Sequence, residues 1–80
     1  MNNTRRKRIR EIKTSLENLL QDLEGIRDDE QEYMDNIPES LQGSDRYNDA
    51  DEAVSSLDNA ISSLDSAISY IDEAVTSLEF

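Results

Sequence analysis

Residues 53–80 read AVSSLDN, AISSLDS, AISYIDE, AVTSLEF, one seven-residue phrase written four times. Ala stands first, Val or Ile second, Leu or Ile fifth and an acid sixth in every copy. Apolar residues that recur in alternating steps of three and four keep to one face of an α-helix, and a strand cannot use that spacing. Val54, Leu57, Ile61, Leu64, Ile68, Ile71, Val75 and Leu78 form that stripe. A long helix with a single apolar stripe is stable in water only when another helix covers it.

The covering helix lies upstream in the same chain. Ile9, Ile12, Leu16, Leu19, Leu23, Ile26, Glu30, Tyr33 and Ile37 follow the same steps, with Glu30 the only break. The intervening IPESLQGSD carries the punctuation of a turn. Pro38 cannot sit inside a helix, Gly43 suits a turn, and Ser44 or Asp45 can cap a second helix through its side-chain oxygen. A connection this short makes the two helices antiparallel neighbours. The expected fold is all-α: a coiled-coil-like antiparallel hairpin in one domain, with helix 1 at about 4–36, a turn at 37–44 and helix 2 at 45–79. Each helix would be roughly 50 Å long.

Pairing Ile9 with Leu78 generates the layers Ile12–Val75, Leu16–Ile71, Leu19–Ile68, Leu23–Leu64, Ile26–Ile61, Glu30–Leu57 and Tyr33–Val54, then Ile37–Ala50 at the turn. On one flank the same alignment sets Arg6 against Glu79, Lys13 against Asp72, Leu20 against Asp65 and Arg27 against Asp58, so three of four pairs are complementary in charge. It also brings the basic start of helix 1 beside the acidic end of helix 2, relieving an arrangement that each helix dipole alone disfavours. Glu30 can set the register as buried polar residues do in coiled coils, or reach Arg27, Tyr47 or solvent.

Two helices share one seam, which leaves the core half open. A homodimer closing into a four-helix bundle is therefore expected. Ala53, Ala60, Ala67 and Ala74 line the other flank about 10.5 Å apart. Their small side chains either tighten the hairpin or admit the second molecule.

Composition narrows the function. The net charge of −11 is uneven: residues 1–13 hold six basic residues and one acid, while residues 14–80 hold Arg27 and Arg46 against eighteen acids. Such a surface attracts a basic protein and repels nucleic acid. The RRKRIR segment at residues 5–10 could meet phosphate, but it has no interleaved aromatics and reads first as a salt-bridged helix end. The carboxylates of DDEQEYMD at 28–35 lack the spacing and central glycine of a calcium loop and read as a hydrated acidic face. No cysteine or histidine is present, so thiolate ligands, imidazole ligands and the commonest general base are missing. No metal, cofactor or enzymatic activity is expected. Without a membrane-spanning apolar run or a signal-peptide core in Met1 to Arg10, a cytoplasmic setting is the expectation.

Candidate protein contacts gather at the turn, where Tyr33, Met34, Leu41 and Tyr47 come together. Tyr70 joins them because it replaces the Ser found in the other three repeats. Asp58, Asp65, Asp72 and Glu79 form a candidate acidic row.

The stretch DNIPESLQGSDRYNDADEAVSSLDNAISSLDSAISYIDEA resembles a group of small acidic proteins of phages, prophages and bacteria. Asp35, Asn36, Pro38, Glu39, Leu41 and Gln42 carry the likeness, which implies a helical hairpin in a phage or bacterial cytoplasm. Three readings of function follow. The favoured one is an interaction module that modulates a host or phage protein, with inhibition of antiviral defence as one form. The others are a DNA mimic and a purely structural assembly unit.

Overall fold

A computed structural model describes residues 2–76. Helix α1 spans Asn3–Asp35, a single 3-10 turn spans Glu39–Leu41, and helix α2 spans Asp45–Thr76. The two helices pack side by side in opposite directions as a hairpin. The result is a rod of 60 × 15 × 13 Å. Its radius of gyration is 18.0 Å, against about 12 Å for a globular chain of this length.

Local chemistry marks each boundary. The Asn2 side-chain oxygen accepts from the Arg5 amide at 2.9 Å, capping α1 one residue ahead of the expected start. At the far end the Asn36 amide donates to Glu32 and the Ile37 amide to Met34. Pro38, with no amide hydrogen, then prevents continuation. The Leu41, Gln42 and Ser44 amides close the turn by donating to the carbonyls of Pro38, Glu39 and Leu41. The Ser44 hydroxyl accepts from the Tyr47 amide at 3.4 Å and opens α2. Gly43 has no positive φ, so the turn is built without left-handed backbone.

Burial is thin and concentrated. Met34, Ile37, Ala50 and Val54 are buried together at the turn, and Ile68 and Val75 are buried farther along α2. The pairing of Ile37 with Ala50 at this end matches the buried state of both. Among the described residues none is less than 2% exposed. No helix here is long and apolar enough to cross a membrane.

One expectation is overturned. Ile12, Leu19, Ile26 and Tyr33 do not form layers against Val75, Ile68, Ile61 and Val54, because they are 54%, 57%, 58% and 45% exposed. Their places toward α2 are taken by Lys13, Leu20, Arg27 and Met34, all half-buried or buried, alongside Ile9, Leu16, Leu23 and Glu30. At 100° per residue this exchange turns α1 by roughly 50° about its own axis. Two ion pairs accompany the rotation. Lys13 meets Asp72 and Arg27 meets Asp58, each at 2.7 Å, as the expected flank requires. The anticipated partner of Arg6, Glu79, lies outside the described residues, as does the end of the expected helix 2.

Candidate interaction surfaces

The rotation gives the hairpin two unlike edges and a distinct tip. On the closed edge the Arg27 guanidinium grips Asp58 with two donors, Nε to Oδ1 at 2.7 Å and Nη2 to Oδ2 at 3.4 Å. It also reaches Asp28 through Nη1 and Gln31 through Nη2, both at 3.4 Å, and Gln31 in turn donates to Asp35 at 2.9 Å. A chain of polar contacts thus runs along this edge toward the turn. The hydrogen bond it donates to Asp72, assisted by the charges of Asp72 and Glu17, holds the Lys13 ammonium above its usual range against the opposing effect of burial. Asp58 acts in the same way on Arg27.

The opposite edge is open. Ile12, Leu19, Ile26 and Tyr33 stand one heptad apart and so form a straight row about 32 Å long. Helical periodicity places this row, the half-buried Leu57, Leu64 and Ile71, and the Ala53, Ala60, Ala67 and Ala74 stripe on the same broad side of an antiparallel pair, away from the ion pairs. Ala53 is half-buried and the other three alanines are exposed, so the stripe does not tighten the hairpin. Each half-exposed Ile or Leu leaves roughly 1 kcal/mol of burial unrealised. Ile12, Leu19 and Ile26 are exposed apolar residues that the heptad reading had consigned to the core. The signal that could have found them is the width of the α1 apolar face. Leu20 and Met34 extend it to a third row, more than one partner helix covers.

At the tip, Tyr33, Asn36, Ile37, Pro38, Leu41, Ser44 and Arg46 line a shallow depression. Tyr33 and Leu41 are exposed and Tyr47 is half-buried. Met34 is buried, so among the expected tip contacts it closes the hairpin and presents no surface. Around the depression, residues 28–52 carry ten acids against Arg46, a net −9. Tyr70 is 70% exposed on the solvent side of α2, beside Ser62, Ser63, Ser66 and Ala67.

The acidic row is interrupted. Asp72 and Asp58 are held by Lys13 and Arg27, Asp65 is exposed, and Glu79 lies outside the described residues. Among the described residues no three acidic side chains converge closely enough to hold a metal ion.

Comparison with known proteins finds no matching family, no matching characterised relative and no matching solved structure.

Proposed function

We propose that the chain is a non-enzymatic, acidic protein-interaction module of a phage or bacterial cytoplasm that binds and modulates a basic host or phage protein through the tip of the hairpin. The observation that carries this reading is the exposed pair Tyr33 and Leu41 beside Pro38, set in a depression within a segment of net charge −9. An aromatic and an aliphatic side chain ringed by carboxylates match a partner whose own apolar anchor is surrounded by Lys and Arg. The apolar centre supplies affinity, and the surrounding charge speeds encounter and selects against acidic surfaces. Inhibition of an antiviral defence protein is one form such modulation takes, in keeping with the resemblance to small acidic phage proteins.

DNA mimicry is the second reading, and the neutralised Asp58 and Asp72 weigh against it. A mimic needs an unbroken row of free carboxylates to occupy a phosphate-binding groove. Two of the three described members of this row already hold cations.

Affinity capture with the full-length chain separates the readings. Retention of one partner in 0.5 M salt (roughly a 4 Å screening length), abolished by Tyr33→Ser with Leu41→Ser, is the expected result. Capture of DNA-binding proteins that is lost in salt and indifferent to those substitutions would replace the proposal with mimicry. A chain that retains nothing yet assembles with itself would be a structural unit.

A further inference from the structure

We infer that the open edge of the hairpin is covered by a second copy of the same chain, packed so that the two turns lie at opposite ends of the assembly and α1 rests on α1 of the partner. The row Ile12, Leu19, Ile26 and Tyr33 is exposed along its whole length, and the adjoining Ala60, Ala67 and Ala74 offer no bulk to cover it. Reversed on itself, the row is self-complementary. Ile12 comes opposite Tyr33 and Leu19 opposite Ile26, about a two-fold axis near residue 22. A two-fold interface requires this property, in which one patch meets its own image.

Charge decides the direction. The first thirteen residues carry a net +5, and residues 28–52 carry −9. With turns at the same end, two segments of −9 would lie side by side, where screening over about 8–10 Å leaves their repulsion strong. With turns at opposite ends, along a rod 60 Å long, those segments are far beyond that distance from each other. Each then lies beside the basic start of the partner's α1. The open edge opposes this approach at one place, where Asp22 lies by the two-fold axis beside its own copy. Arg8, Asp22 and Asp29 stand at its rim, and the α2 side from Ala53 to Ala67 presents mainly Ala and Ser.

The inference does not depend on what the tip binds, and the measurements keep the two apart. The chain mass of 9.1 kDa should appear in light scattering at 100 μM (roughly ten times a 10 μM dissociation constant) as an average of about 16 kDa, approaching twice the chain mass at higher concentration. Leu19→Glu with Ile26→Glu should return 9.1 kDa while far-ultraviolet circular dichroism retains the helical signal, a loss of affinity of at least about a hundredfold. Should that variant lose its helices, Leu19→Ser with Ile26→Ser must dissociate with helices intact. Because the chain has no cysteine, a spin label at Thr4→Cys reports direction alone. Opposed turns place the two labels about 55 Å apart by helical rise, and turns at one end place them within about 20 Å by helix packing distances. A wild-type monomer, a dimer that survives both double variants, or the short label distance overturns the inference. Tyr33 belongs to the row as well as to the tip, so Leu41→Ser alone, which leaves the row intact, reads partner capture apart from this interface, and failure of the tip proposal leaves the mass and label results standing.

Discussion

Along one edge of the hairpin Lys13 and Arg27 hold Asp72 and Asp58 at 2.7 Å, while along the other Ile12, Leu19 and Ile26 stand more than half exposed beside a row of alanines. Usual expectation would exchange them, with the apolar row inside and the charged row in water. Both rows belong to α1 and differ by a single residue in sequence, so one rotation decides which is covered. Charged hydrogen bonds have direction and distance requirements that isoleucine does not, and with the Lys13 and Arg27 row turned inward both pairs close to 2.7 Å. Apolar side chains left outside keep their capacity to be buried by something else. One edge is thus closed by ion pairs, and the edge left apolar is where association can stabilise the hairpin.

Several substitutions would break or sharpen this contrast. Largest is the difference between Val54→Asp and Ile26→Asp. Val54 is 5% exposed at the turn, and an unpaired carboxylate there should cost several kcal/mol and abolish cooperative unfolding. The same change at Ile26, at concentrations too low for association, should move the unfolding midpoint by no more than about 0.5 kcal/mol. Thermal melts followed by circular dichroism read both.

Next is Gly25→Ala. A methyl group there meets nothing within 4 Å, so the variant should gain up to about 1 kcal/mol of helix stability in denaturant titrations of the dilute chain.

A smaller effect tests the rotation directly. Replacing Lys13 and Arg27 by Met removes the cations that draw their row inward. A thiol introduced as Ile26→Cys should then react roughly threefold more slowly with a labelling reagent as α1 relaxes toward the heptad face. An unchanged rate means that the ion pairs follow the rotation and do not cause it.

The smallest effect is in pH. Lys13 is raised above its ordinary 10.5 by Asp72. Its contribution is therefore complete below the unfolded value and is lost as pH rises through the folded one. The stability difference between wild type and Lys13→Met should stay level at pH well below the ordinary 10.5 and fall away as pH rises through the raised folded value.

The ion pairs do not fix the sliding position of α1. Asp51, Asp58, Asp65 and Asp72 put an acid at every heptad along α2, so a slip of one repeat would still leave Lys13 and Arg27 with partners. The turn fixes the position. Pro38 ends α1, Ser44 starts α2, and the buried cluster of Met34, Ile37, Ala50 and Val54 packs only when the connection has this length. That much was legible from residues 37–44, and so were both ends of α1 and the start of α2 to within a residue. The Lys13–Asp72 and Arg27–Asp58 pairs were legible as well, because charge complementarity on one flank does not depend on which apolar row faces inward. The exposure of Ile12, Leu19 and Ile26 was not, and neither was the burial of Met34.

Periodicity, a proline and the placement of charges determined by themselves that this chain makes two helices, that they run antiparallel, and which residues lie level with which. Only the tertiary structure decided which way α1 faces. Its apolar residues fill three adjacent rows, and a turn of roughly 50° trades one row for another with little change in local helix geometry. Local preference is blind to that choice, and contacts made across the whole length of the hairpin resolve it.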